Sequence, residues 1–298
     1  MKHPYSTIQY AKSLSHWGRP FHVPEWDTNV LIREISPGFE DASGTYPIAI
    51  LDKNADIARG LERLRKHRLI SVVLVLDDFH RPSLKTLHQY FTVIKQFKTH
   101  YIHDNNKEKI IYNRHHRYEL RQALKSVDVA PLDLQNNIEN WSALYSNLIV
   151  HKELTGLHAF PLKHHIALGK LEGITAIGAW QKDELISCHV WVSDGDYVHS
   201  HLAASSAQGY ANRAAYAIND ASIAYFSNAK IINFGGGIMQ TNKTLDNLAQ
   251  FKRGFSNNIA LSYVCGAVLD EERYADLLLK NATIQQTDFF PAYRMNDK

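Results

Sequence analysis

Cysteine is nearly absent from this sequence, as is any long apolar run, and each absence excludes a class of protein. The 298 residues include two cysteines, Cys188 and Cys265, far apart and without CxxC spacing. That argues against a disulfide framework or structural zinc site and for two reduced, buried side chains. No stretch reaches the ~20 apolar residues of a membrane helix, and residues 1–20 lack the apolar core of a secretory signal. The expectation is a cytoplasmic protein without a membrane span. A net charge of +3 is too slight to mark a nucleic-acid binder. The sequence also has no strand-GxGxxG-helix layout, no GK[ST] ending and no GxSxG elbow. Dinucleotide binding, P-loop phosphoryl transfer and serine hydrolysis are therefore unsupported.

What is present is an α/β alternation long enough for two domains, expected at 1–130 and 131–298. Residues 1–47 are rich in Pro, Gly, Trp and Tyr, with one strand expected over Asn29–Ile35. A short apolar run at Pro47–Leu51 is followed by a helix over Asp56–Arg68, with Ile57, Leu61 and Leu64 on one face, and a strand over Ile70–Leu76. Leu84, Leu87, Tyr90, Phe91 and Ile94 form a stripe that predicts a helix over Pro82–Lys98, and Thr99–His103 reads as a strand. A helix over Asn113–Ser126 sets Arg114, Arg117 and Arg121 on one face, in a region (95–125) with eight Lys or Arg against three acids. Such a run is either a solvated face or a landing site for an anion.

After a linker at Pro131, helices are expected over Leu134–Leu148 and around Pro161–Leu171. A three-strand meander follows over Ile174–Trp180, Leu185–Val192 and Tyr197–Ala203. Centring the hairpin on Asp194-Gly195 puts Val190 opposite His199 and Cys188 opposite His201, with His189 and Trp191 on the other sheet face. A long Ala-rich helix then opens near Ser205 and runs to Phe226. A buried strand, Ile231–Phe234, leads into Gly235-Gly236-Gly237; Phe251-Lys252-Arg253-Gly254-Phe255, a strand over Ile259–Val268 and a helix over Glu271–Lys280 complete the chain.

Three features could carry chemistry. The helix start after Ala203 offers backbone N–H groups to a diphosphate, through Ala204, Gln208, Gly209, Tyr210 and Asn212, although any helix after a strand opens on small residues. The triple glycine allows close backbone approach, or only a tight turn. Lys252 could place an ammonium over a developing oxyanion, or sit in a surface turn. Among the 17 histidines, His201 suits a general base, with Asp220 and Glu153 as poorer candidates. A metal site from Cys188, His199 and His201 lacks a fourth ligand, and no metal is expected.

Several blocks together resemble the FemAB-like branch of the GNAT acyltransferase superfamily: Lys98–Asp104, Arg114–Tyr118, His199–Ala204 with Gly209-Tyr210, Asn233–Gly237, Phe251–Phe255 and Phe290–Arg294. The resemblance implies tandem GNAT-like folds, mixed central sheets flanked by helices, the first degenerate and the second carrying the activity. It implies N-acyl transfer by direct attack, with acetyl-CoA or another acyl-CoA as donor and Lys252 near the reacting carbonyl. The acceptor would be an amine of a small molecule or a cell-envelope glycan precursor, held by Arg114, Arg117, Arg121, His199, Gly236, Gly237 and Phe251. The family also contains aminoacyl-tRNA-dependent enzymes that build peptidoglycan bridges; this chain lacks their long charged helical hairpin. It lacks, too, a clean Q/R-x-x-G-x-G/A motif, offering Gln208-Gly209-Tyr210-Ala211-Asn212 instead. A tRNA donor and a non-catalytic binding module are the alternatives.

Overall fold

The computed structural model describes residues 2–237, 247–280 and 287–295. In chain order the elements are α1 (Ile8–Ser13), β1 (Arg19–Val23), β2 (Thr28–Ser36), β3 (Phe39–Gly44), α2 (Ile57–Lys66), β4 (Ser71–Asp77), α3 (Leu84–Leu87), β5 (Val93–Asp104), α4 (Arg114–Ala123) and β6 (Asp128–Leu132). They continue with α5 (Ile138–Lys152), α6 (Leu162–Gly169), β7 (Ile174–Gln181), β8 (Glu184–Ser193), β9 (Tyr197–Ser205), α7 (Ala207–Ala211), α8 (Ala214–Tyr225), β10 (Ile231–Gly236), α9 (Asn247–Arg253), β11 (Asn258–Val268) and α10 (Glu271–Lys280). No helix among the described residues is long and apolar enough to cross a membrane.

The chain forms two compact units. A terminal unit comprises Tyr5–Phe97 and Leu261–Lys298, and a central unit comprises Met1–Pro4 and Lys98–Ala260. The expected boundary at 130/131 lies inside β6, within the central unit.

In the terminal unit the strands run β1-β2-β3-β4-β11. β3 and β4 are parallel at Ala42↔Val72 and Ser43↔Val73, and the other pairs are antiparallel. Asp56 caps α2 by accepting from the Arg59 N–H at 3.0 Å, and Ile57, Leu61 and Leu64 bury one face against Trp26 and Leu74. Each such side chain contributes ~1.5–3 kcal/mol. Past Ser43, Gly44 turns the chain so tightly that a Cβ there would stand 2.9 Å from that of Ala49. The following run lies along β4, the Ala49 N–H donating to the Val75 carbonyl at 2.8 Å and the Leu51 N–H to that of His80 at 3.1 Å.

In the central unit the order is β5-β10-β9-β8-β7-β6. Helices α8 and α4 pack together, and α8 covers β6, β7 and β8, while α5 packs on β8 and β9 and against α6. Its core joins Ile177, Ile186, Trp191, Ile218, Phe234 and Phe255.

Several sequence expectations need correcting. Only Leu84–Leu87 of the helix predicted over 82–98 is helical, and β5 begins at Val93; β-branched Thr92, Val93 and Ile94 suit a strand, and sheet pairing outweighs helical spacing. The helix running to Phe226 breaks at Arg213, in left-handed backbone with φ 58°, into α7 and α8. Pro131 lies within β6, an edge strand, where the N–H it lacks need not pair. The hairpin register also differs. Val190 is opposite Leu202 and Trp191 opposite Ser200, so His201 is the extra residue of a bulge. Cys188 is therefore opposite Ala204 and Val192 opposite His199.

Candidate active site

The site is built where two parallel strands of the central unit part. β9 and β10 pair at Ile231↔Tyr197, Ile232↔Val198 and Asn233↔His199. Beyond that point β9 runs on to Ser205 beside β8, and β10 runs on to Gly236, where it pairs with His100 of β5 after a register shift.

Asn233 organises the parting. Its Oδ1 accepts from the Gly235 N–H at 2.8 Å and from His100 Nδ1 at 3.2 Å, while its Nδ2 reaches His199 Nδ1 at 3.5 Å. The local fold-back puts Gly235 at φ +81°, a conformation glycine adopts without steric cost. Lys252, on α9, donates from Nζ to the Gly236 carbonyl at 2.7 Å. A Cβ at Gly235 would come within 3.1 Å of that ammonium. The structure thus joins two residues that the sequence separates by a long interval, Gly236 and Lys252.

Helix α4 supports α9 from behind. His116 Nε2 stands 3.0 Å from the Phe251 carbonyl and the imidazole packs against Phe255 and Tyr216. A Cβ at Gly254 would fall 1.8 Å from His116 Nε2, so this contact requires glycine. Phe251 meets Tyr216 edge-on, with ring centroids 4.8 Å apart. Because α4 spends its inner face on His116 and Ala123, Arg114, Arg117 and Arg121 are exposed on the opposite side.

His201 lies among aromatic rings. It is buried against Phe160 and His164, with centroid separations of 6.4 and 6.2 Å. Burial, then His164, His165 and His199, hold its pKa well below the usual histidine value, so it is neutral at pH 7. His199 packs edge-on against His3. Asp220 accepts from the Tyr112 hydroxyl at 2.7 Å, and Glu153 ends α5.

The segment expected to hold a diphosphate is contiguous, but its groups serve local structure. Ser206 caps α7, its Oγ accepting the Gly209 N–H at 3.1 Å. A Cβ at Gly209 would lie 2.2 Å from the Ile186 carbonyl oxygen, so packing against β8 suffices to require this glycine. Asn212 Nδ2 donates to the Gln208 carbonyl at 2.9 Å. Ala204 is buried, whereas Gln208 and Tyr210 are exposed. Gly237 directly follows β10.

Sequence reasoning missed Asn233 and His189 as members of the site. His189, in β8, is in register with Ala203 and buried; its Nδ1 has no hydrogen-bond partner among the described residues. Burial lowers its pKa to about 4, against an opposing Asn219 hydrogen bond and with help from Lys252. Cys188 and Cys265 are both free and buried. Burial pushes the Cys188 thiol far up and that of Cys265 up to about 12, so neither forms a thiolate nucleophile at neutral pH.

No protein-family model and no curated protein matches the sequence. Solved structures do match its fold. FemX has a TM-score of 0.64 at 11% identity, over 92% of this chain and 95% of FemX. The C-terminal domain of a protein described as a lysylphosphatidylglycerol synthetase, from Agrobacterium fabrum, scores 0.62 at 10% identity over 94% and 92% of the two chains. L-PGS from Bacillus licheniformis scores 0.60 at 8% identity over 96% and 100%. The α/β fold, with its helices flanking a mixed sheet, is thus similar to those of FemX and of these two proteins. At these identities the likeness concerns fold.

Proposed function

We propose that the chain is an acyl-group transferase, moving an acyl or aminoacyl group to an amine between β9 and β10 of its central unit. The observation that carries this reading is the parting of the parallel pair after Asn233↔His199. It leaves room for an extended donor arm to lie along the second half of β9 by strand addition.

In this reading the amine nitrogen attacks the acyl carbon. The N–C bond forms as the donor's C–S or C–O bond breaks, the electron pair leaves on sulfur or oxygen, and the amine proton passes to water. Lys252, oriented by the Gly236 carbonyl, stabilises the oxyanion. His189, neutral at pH 7, offers the amine a hydrogen-bond acceptor. Such electrostatic positioning is worth ~10²–10³ in rate.

Acyl-CoA is the first donor to test, with a small amine or a cell-envelope glycan precursor as acceptor. A second reading, an aminoacyl-tRNA donor, is favoured by α4. Arg114, Arg117 and Arg121 share its exposed face, while Glu119, its one acid, is turned inward to an ion pair with Arg213.

Calorimetry of the whole chain with acetyl-CoA and with aminoacyl-tRNA, at low and moderate salt, separates the donors, because binding to RNA phosphates weakens steeply with salt. Ala203→Trp places bulk at an exposed position on the diverging part of β9. Saturable binding of either donor, lost in Ala203→Trp with the fold intact, supports the proposal. Binding of neither donor contradicts it.

A further inference from the structure

The block Arg114–Tyr118 contains one residue that the transfer step leaves unused. His116, the third residue of α4, is buried on the helix's inner face, whereas Arg114 and Arg117 are exposed. We infer that His116 is a positioning residue for Lys252: its Nε2–H holds the Phe251 carbonyl and, through it, the last turn of α9. The effect on transfer rests on the role proposed above for Lys252; the hold on α9 does not.

The last carbonyls of a helix have no partner within it. In α9 they are met from the turn that follows. The Gly254 N–H donates to the Gln250 carbonyl at 3.2 Å, that of Phe255 to Lys252 at 3.1 Å and that of Ser256 to Arg253 at 3.1 Å. The change from four-residue to three-residue spacing passes over Phe251. Its carbonyl is the one that His116 Nε2 meets, at 3.0 Å. Lys252 is thus fixed on both sides. The carbonyl before it is held by His116, and its own by the Phe255 N–H and by Ser256 Oγ at 2.8 Å. From this backbone its Nζ reaches the Gly236 carbonyl at 2.7 Å.

A carbonyl oxygen only accepts, so Nε2 must carry a proton to serve it. Nδ1 faces Asn113 Oδ1 at the longer distance of 3.3 Å, and that oxygen already accepts the His116 backbone N–H at 2.9 Å. Burial lowers the His116 pKa, the Phe251 carbonyl opposes the shift, and His115 lowers it while Glu119 raises it. At pH 7 the ring is therefore neutral, with its single proton on Nε2. Tyr216 and Phe255 stand edge-on to the imidazole, at 5.3 and 5.2 Å between centroids. A Cβ at Gly254 would overlap Nε2, so the turn closes on the ring only with glycine there.

The test is competitive acetylation of the full chain with acetic anhydride, read lysine by lysine by mass spectrometry. It reports how firmly Lys252 Nζ is held and needs no acyl donor of the proposed reaction. His116→Gln keeps an N–H near the place of Nε2, whereas His116→Phe keeps a ring without it. Labelling of Lys252 should rise ~5-fold in His116→Phe, the size of one lost hydrogen bond, and stay near the wild-type rate in His116→Gln. Lys66 of α2 and Lys163 of α6 should label equally in all three proteins. In a transfer assay, kcat should fall in His116→Phe with KM unchanged and recover in His116→Gln. Absence of transfer in the wild type would refute the proposed function, while the labelling still decides the role of His116. A second check needs no variant: nitrogen-15 NMR of the wild-type histidine rings at pH 7.5 should show His116 as the Nε2–H tautomer. Unchanged Lys252 labelling in His116→Phe, an equal rise in both variants, or an Nδ1–H tautomer would each overturn the assignment.

Discussion

The two units use the same device and finish it differently. Each unit contains a parallel strand pair that stays in register for a few residues. In the terminal unit the pair ends at Ser43↔Val73, and the chain's own backbone then lies along β4, with Ala49 bonded to Val75 and Leu51 to His80. In the central unit the pair ends at Asn233↔His199, and Asn233, Gly235 and Lys252 shape the opening. Where backbone occupies such an opening, the unit gains hydrogen bonds but loses the room for a donor. This contrast is why the proposed transfer is placed in the central unit.

The largest expected effect that sharpens the contrast is chemical. Lys252→Met should lower transfer by ~10²–10³ in kcat with an unchanged circular dichroism spectrum. Ala49→Trp, an equivalent insertion of bulk into the terminal unit, should leave kcat alone and cost ~1–3 kcal/mol in urea unfolding through overpacking.

Acid should act on the central unit's buried histidines. His189 has its folded pKa lowered to about 4, so the unfolded chain binds the proton first as pH falls. The stability linked to neutral His189 is complete above pH ~6.5 and is lost on going down to pH ~4, by up to ~3 kcal/mol. His201 shifts in the same direction. Urea midpoints from pH 7 to pH 4 should follow this loss, and His189→Asn should flatten part of it. An unchanged slope in that variant would contradict the assignment.

Gly254→Ala should destabilise the central unit by ~1–3 kcal/mol, because the added methyl meets the His116 ring; thermal unfolding checks it. The smallest effect belongs to the terminal unit. Glu25 is held at a pKa of about 2, chiefly by its hydrogen bond from Arg63, but both side chains are partly exposed. Arg63→Ala should therefore barely move the urea midpoint and leave transfer untouched.

How much of this was legible follows from whether the determining contacts are local. The β7–β9 meander was readable because Asp194 and Gly195 set its turn. Asp194 Oδ1 accepts the Asp196 and Tyr197 N–H groups, and Gly195 takes φ +106°. Caps such as Asn113, which accepts from the His116 N–H at 2.9 Å, likewise announced α4. The first part of β5, Val93–Lys98, was misread as helix because Leu84, Leu87, Tyr90, Phe91 and Ile94 fall at helical spacing, whereas its second part, Thr99–His103, was read as strand. The bulge at His201 shifted a register that counting from the turn could not anticipate. In the candidate site, the glycines and Lys252 stood out by residue type. Asn233 entered only as the first residue of a resemblance block, with no role of its own, and His189 is one histidine among seventeen with no local signal. The role of each depends on neighbours supplied by other strands and helices.

The most direct test of the central claim is hydrogen exchange of the whole chain with and without saturating donor. The account predicts slowed exchange over Ser200–Ser205 and Asn233–Gly236, with Ala42–Gly44 and Leu74–Asp77 of the terminal unit unchanged. Protection confined to the terminal unit, or none with either acyl-CoA or aminoacyl-tRNA, would contradict it.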